Sequence, residues 1–340
     1  MWDEFKSNIS FLNEGIISFE KPLTFNDKIK TEDFEGEIKI NSKDLVSKLI
    51  HFVLENGFSG MGNSYLIQNK FILNNVFTCL TSNDNILGAG ISVKNTLNLN
   101  GQKINSALTT YLTTSIKHRK VGIAEYIIKS LINHGYYIGT LTGYHFVLKP
   151  CNISNLQCSA YFYPLNVELA KEHGYQFKEY NYDTYVNFDY SLRTTIFDDF
   201  YSICGKVNRK LNIQLTESEF ENISKDIMSQ TILFKNKIVG LVMYKLVMVY
   251  IHKTKKFCPV ARIVYFETLP KHSYHVLSSV INHLQSQNKY AVMSGVCLGE
   301  LTDKSLTRDF VITKNLYLNF YNIYIEKDKC KAENVNVLYI

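Results

Sequence analysis

The sequence has little proline, one tryptophan and no long apolar run. The chain holds five prolines among 340 residues, and no flexible linker is expected to divide it. No apolar stretch approaches the ~20 residues that span a bilayer, so no transmembrane segment is expected. The start, Met1-Trp2-Asp3-Glu4, lacks the basic and apolar regions of a secretory signal. Seven cysteines, an odd number without paired spacing, point to reduced thiols and a cytoplasmic setting. Cys151 and Cys158 lack the short spacing of a zinc knuckle, and Cys204 and Cys297 sit among apolar residues as core thiols. His272 and His275 have the spacing H-x-x-H but no third ligand nearby, so no metal is expected. Neither a Walker nor a dinucleotide fingerprint is present, and no Ser-His-Asp order can be argued. Lysine and arginine are scattered, which gives no footprint for a nucleic acid.

What is present suits a folded chain with a sizeable core. At 46% hydrophobic and 20% charged, the chain can fill one large domain or two medium ones. The net charge of +6 permits an anionic ligand. The first 40 residues read as an arm with short extended pieces. Asn41 then offers an N-cap, and Leu45, Leu49, Phe52 and Val53 make one helical face. A strand through Ile86–Val93 leads to Asn100-Gly101, a two-residue turn signal, and a returning strand through Leu108 and Leu112. After residues 117–122 the period becomes helical at Ile123, Ile127 and Leu131, and Gly135 reads as the C′ residue.

The second half repeats this order. A helix at Phe197–Cys204 precedes a strand at Ile238–Tyr244, a basic loop, a strand at Arg262–Phe266 and a helix at His275–Leu284. Ser130-Leu131-Ile132-Asn133-His134 even matches Ser279-Val280-Ile281-Asn282-His283. An internal duplication explains the order best, giving units at 1–190 and 191–340. Between strand and helix, Arg119-Lys120-Val121-Gly122-Ile123-Ala124 places backbone N–H groups at a helix N-terminus. Those groups and the helix dipole suit a pyrophosphate, and Lys117, Arg119 and Lys120 add positive charge. With a hairpin before it and a helix after it, this turn resembles the acyl-CoA site of the GCN5-related N-acetyltransferase fold. The expected class is therefore α/β (α+β), two such units in tandem, with mixed sheets flanked by helices.

A more specific resemblance follows. Residues 111–128 align without gaps with F-L-C-V-H-K-K-L-R-S-K-R-V-A-P-V-L-I, the pattern of the glycylpeptide N-tetradecanoyltransferase (N-myristoyltransferase) family. Cys158 through Asn166 resembles its C-R-Y-W-H-R-S-L-N, and Asn315 through Asn322 its N-L-Q-Y-Y-L-Y-N. Ala332 through Ile340 resembles its terminal A-E-K-V-G-L-V-L plus one residue, and Trp2-Asp3 its F-W-D. The five stretches come in family order and cover nearly the whole chain.

The resemblance implies transfer of a tetradecanoyl group from myristoyl-CoA, a co-substrate and not a resident cofactor, to the amine of an N-terminal glycine. It implies proteins or peptides beginning with glycine as partners, and a monomer. The terminal carboxylate of Ile340 would be the general base, with its pKa raised toward the amine's by burial. The backbone N–H groups of Tyr111 and Leu112 would form the oxyanion hole. Thr113 and Thr114 would continue along the acyl-CoA, and Lys120, Gly122, Ile123 and Ala124 would hold its phosphates. Trp2 would close over the acyl-CoA, and Thr142 would help to hold the amine. The sequence departs from the family on the peptide side. The acidic loop after the first helix becomes Glu55–Asn63 with a single acid, and the Tyr and His of C-R-Y-W-H fall on Ala160 and Phe162. G-D-G falls at Ile312-Thr313-Lys314 and N-A-L-D at Ser294–Cys297. These changes leave room for another acyl-CoA or amine acceptor, or for a silent relative that binds acyl-CoA or protein partners.

Overall fold

In a computed structural model, the structure describes residues 15–16, 27–32, 34–56, 63–140, 142–148, 155–177, 189–321, 323–325 and 330–340. Two similar sets of strands and a helix form the frame. The first is β1 (Val76–Ser82), β2 (Asn85–Leu99), β3 (Gln102–Thr114), α2 (Ile123–Tyr137), β4 (Thr142–Val147) and β5 (Asn155–Pro164), after α1 (Val46–Asn56). The second is α3 (Phe197–Lys206), β6 (Met228–Phe234), β7 (Lys237–Ile251), β8 (Lys256–Thr268), α4 (Ser273–Ser286), β9 (Val292–Val296) and β10 (Val311–Tyr321).

All these strands share one twisted sheet, in the order β6-β7-β8-β9-β5-β10-β4-β3-β2-β1. Exchanging each strand of one set for its counterpart in the other gives the same order read from the opposite edge. The sheet therefore has an internal two-fold pattern centred between β5 and β10. It also interleaves the halves, because β5 sits between β9 and β10, and β10 between β5 and β4. The hairpins β2–β3 and β7–β8 are antiparallel, whereas β3 and β4, and β8 and β9, run parallel. A parallel neighbour needs a crossover, and α2 and α4 supply it.

Local chemistry explains the elements. Asn100 and Gly101 both have positive φ, 51° and 90°, and Leu99 pairs with Gln102 across a two-residue turn as expected. Helix α1 buries Val46, Leu49, Phe52 and Val53 on one face. Asn41 is not its cap: it has a φ of 53°, its Oδ1 accepts from the Phe77 N–H at 2.9 Å, and a 3-10 turn begins at Lys43 after Ser42. Helix α2 also runs past Gly135. Thr140 N–H donates to the Gly135 carbonyl at 2.8 Å and Gly139 N–H to Tyr136 at 3.2 Å, with Gly139 at φ 74°. That is a Schellman ending with Gly139 as C′. Gly135 is needed for a different reason, since a Cβ there would lie 2.6 Å from the Thr140 carbonyl oxygen.

Candidate active site

The two parallel pairs are joined only briefly. β3 and β4 match at Ser106–Leu108 against Thr142–Tyr144 and then part. β8 and β9 match at Val260–Arg262 against Val292–Ser294 and then part. Each parting point lies beside a bulge in the hairpin. In the first, Tyr111 and Leu112 stand opposite Gly90 between the pairs Ala89–Thr113 and Ile91–Thr110. Tyr111 takes a φ of 51°, uncommon for a non-glycine residue. In the second, Val264 is the extra residue between the pairs Met243–Tyr265 and Tyr244–Ile263.

The C-terminal segment fills the second opening. Tyr339 N–H donates to the Val264 carbonyl at 2.9 Å, and Asn336 Nδ2 to the Phe266 carbonyl at 2.7 Å. Val335 and Asn336 pair in parallel with Leu211 and Asn212. Arg209 holds the approach, donating to the Glu333 carbonyl at 2.7 Å and to Glu267 Oε1 at 2.7 Å. Glu267, fully buried, also accepts from Asn336 Nδ2 at 2.9 Å. Val335, Val337, Leu338 and Ile340 are buried, each side chain contributing about 1.5–3 kcal/mol if it is fully removed from water.

The tail thus crosses from one bulge to the other. Thr110 Oγ1 donates to the terminal Ile340 O at 3.0 Å, one residue before Tyr111. The first opening remains a cavity of about 240 Å³, with Tyr111, Leu112, His145, Arg262, Tyr339 and Ile340 in its wall. Burial pushes the His145 imidazole down to about 4, which leaves it neutral at pH 7, and pushes the Tyr321 phenol up to about 12. Behind the bulge, the buried Lys245 Nζ donates to Tyr111 Oη at 3.3 Å and lies 4.8 Å from the Phe71 ring centre. Burial, with Arg262 beside it, pushes that ammonium well below the usual lysine range.

From the cavity the chain leads straight to the basic turn. Thr113 donates to the Tyr111 carbonyl at 3.1 Å, which ties the bulge to the strand, and Thr114 ends β3. Lys120 is exposed at φ 74°, and Gly122 takes φ 85° with open space where a Cβ would stand. Ile123 and Ala124 begin α2, and their N–H groups belong to the turn that has no intrahelical acceptors. The Ile123 side chain is buried, and a Cβ at Gly88 would lie 2.3 Å from its Cγ2. The Asn56 carbonyl at the end of α1 accepts from Arg119 Nη2 at 3.2 Å.

Of the residues singled out in the sequence, Tyr111, Leu112 and Ile340 share the cavity, and Thr113, Thr114, Lys120, Gly122, Ile123 and Ala124 follow it in order. Thr142 does not join them. It starts β4 at the paired end, and its hydroxyl donates to the Asn105 carbonyl at 2.8 Å. Trp2 and Cys151 lie outside the described residues. Sequence reasoning missed Thr110, His145, Lys245, Arg262 and Tyr321. A local signal was available for three of them, since His145, Lys245 and Arg262 each interrupt an apolar strand.

Several of the departures from the family pattern lie together, whereas residues 57–62 of the Glu55–Asn63 loop lie outside the described residues. Ala160, Phe162, Ser294, Gly295, Thr313 and Lys314 line one groove of about 650 Å³. It shares Leu148, Arg262, Lys314 and Tyr339 with the cavity. The remaining candidates are structural. His272 Nδ1 is 2.7 Å from Tyr190 Oη, and the His275 ring stacks on Tyr190 with centres 5.1 Å apart. No group placed to hold a metal ion is found among the described residues. Burial pushes the Cys204 thiol up to about 12 and Cys297 to about 11, so neither is a thiolate at neutral pH.

No protein-family model matches the sequence, and no curated protein matches it. Solved structures do match its shape. Saccharomyces cerevisiae N-myristoyltransferase with bound myristoyl-CoA superposes with a TM-score of 0.75 at 14% identity, over 97% of this chain and 95% of that one. A second structure of it, also with myristoyl-CoA, gives 0.74 at 14% identity over 97% and 91%. A third, with myristoyl-CoA and inhibitors, gives 0.72 at 14% identity over 96% and 89%. Over nearly its whole length, then, the chain has the tandem acetyltransferase-like fold of N-myristoyltransferase.

Proposed function

We propose that the protein is an acyltransferase that moves a tetradecanoyl group from myristoyl-CoA to the amine of an N-terminal glycine. The observation that carries this reading is the end of the tail. Ile340 brings a carboxylate into a cavity whose wall includes a backbone bulge, 3.0 Å from the Thr110 hydroxyl. An α-amino group has a pKa of about 8, so most of it is protonated at pH 7 and must lose a proton before it attacks. The carboxylate of Ile340 takes that proton. The nitrogen bonds to the thioester carbon, and the N–H groups of Tyr111 and Leu112 stabilise the oxyanion. The carbon–sulfur bond then breaks, and the CoA thiolate leaves with a proton.

Thr113 and Thr114 accompany the pantetheine. Lys120 and the backbone of Gly122, Ile123 and Ala124 hold the phosphates, whose charge the helix dipole favours. Residues 1–190 and 191–340 are its duplicated units, the second supplying the tail and one side of an acceptor groove that Ala160, Tyr161 and Phe162 of the first complete. The protein acts as a cytoplasmic monomer on proteins or peptides that begin with glycine, and uses myristoyl-CoA as co-substrate without a resident cofactor. The altered lining of the groove favours a second reading, the same fold serving another acyl-CoA or amine acceptor. Mass spectrometry of glycine-started peptides incubated with acyl-CoAs of two to sixteen carbons tests both. Transfer greatest with the fourteen-carbon thioester supports the first reading, and transfer greatest with another chain supports the second. No product with any of them leaves a relative that only binds and overturns both.

A further inference from the structure

The groove beside the cavity has a one-sided charge. Its described lining includes Lys253, Arg262 and Lys314 and neither an aspartate nor a glutamate. Arg262 is buried at the end shared with the cavity, Lys314 is half-buried, and Lys253 is exposed. The cations thus run from the reacting end toward solvent. Between them the wall is apolar or neutral, with Tyr161, Phe162, Val249, Ile251, Ser294 and Thr313. Burial, with the nearby Lys256, holds His173 below the usual imidazole range, so at pH 7 it adds no charge to the wall. The groove meets the cavity at Leu148, Arg262, Lys314 and Tyr339, so it offers a wall for the residues that follow an amine entering the cavity. A lysine or arginine there would meet like charge in a partly desolvated site, whereas a carboxylate would gain charge-assisted hydrogen bonds from Lys314 and Lys253.

We infer that the groove selects acceptor chains carrying an acidic side chain within the first several residues after the reacting amine. The inference rests on the acyl-transfer reading for what enters the cavity, but the selectivity can be measured by binding alone. The probes are fluorescein-labelled peptides Gly-Ala-Ala-X-Ala-X-Ala with X as Glu, Gln or Lys. They are titrated into the full chain with a non-reactive thioether analogue of myristoyl-CoA present. The Glu peptide is expected to bind about tenfold tighter than the Lys peptide at ~0.05 M salt, and the gap to narrow at ~0.5 M. In a chain carrying Lys253→Glu and Lys314→Glu the preference should reverse; Lys253 is exposed and Lys314 half-buried.

Equal binding of all three peptides, tighter binding of the Lys peptide, no binding, or an unchanged preference in the doubly substituted chain would overturn the inference. Acyl transfer from myristoyl-CoA is then followed on the same peptides. Charge-selective binding without transfer upholds the groove and sinks the acyl-transfer reading. Transfer without charge preference does the opposite.

Discussion

At the scale of single residues, the site is built from polar groups that the core would otherwise reject. His145 sits in β4 between Tyr144 and Phe146, and burial alone depresses it to about 4. The sign of its effect on stability follows. An unfolded imidazole binds a proton below about 6.5 while the folded one does so only near 4, so stability is full above 6.5 and falls as pH drops through that window. The loss is on the order of 3 kcal/mol. Urea unfolding between pH 7.5 and 4.5 should show it, and a His145→Gln chain should lose a large part of the slope. An equal slope in both would remove His145 as the cause. Gly122 offers a second residue-scale test. Its φ of 85° makes any side chain cost about 1 kcal/mol of backbone strain, although space is open there. Gly122→Ala therefore measures strain alone, and Gly122→Glu adds charge at the helix N-terminus. CoA affinity measured by calorimetry should fall about tenfold further with Glu than with Ala. Equal affinities would mean that no phosphate binds at this turn.

At the scale of elements, the tail is the part on whose placement the proposed chemistry depends. Asn336 ties it to the Phe266 carbonyl and to Glu267, so Asn336→Ala leaves buried acceptors short of a donor at a cost of about 1–3 kcal/mol. The variant should release residues to carboxypeptidase faster and transfer acyl groups at least tenfold more slowly, with CoA affinity unchanged. Tail protection and turnover equal to the parent would show that Asn336 does not hold the carboxylate in place. Elements set by near neighbours along the chain are legible in the sequence itself. Asn100-Gly101 specifies its turn through two positive φ angles, and Ile123, Ile127 and Leu131 announce a helix face. The misreadings have one cause. Asn41 and Gly135 look like helix punctuation, but each is spent on a contact from outside its helix, Phe77 for the first and Thr140 for the second. The hydroxyl of Thr142 donates to the β3 backbone, a long-range contact that no local pattern reveals.

At the scale of the whole molecule, the duplication reads in sequence as a repeated order of elements. Its consequence is not visible there, because exchange of β5 and β10 across the sheet centre is a long-range pairing. That exchange gives two similar openings side by side. One is filled by the chain's own tail, and the other is left as the cavity that the tail end reaches. Arg262 and Lys314 enter the site only through this arrangement, from strands far from Tyr111 in the chain. The same arrangement makes the carboxylate of Ile340 the group on which the proposed chemistry depends.

The measurement that bears on it most directly compares acyl transfer by the chain ending at Ile340 with transfer by a chain extended by one alanine. Myristoyl-CoA and a glycine-started peptide are the substrates, and equilibrium binding of myristoyl-CoA is the control. The extension moves the carboxylate off its place beside Thr110 and leaves the bulge and the phosphate turn intact. The predicted result is acyl-CoA affinity within about twofold of the parent and a turnover lower by about a hundredfold or more, the range expected when a general base is lost. Undiminished turnover in the extended chain, or none in the chain that ends at Ile340, would contradict the account.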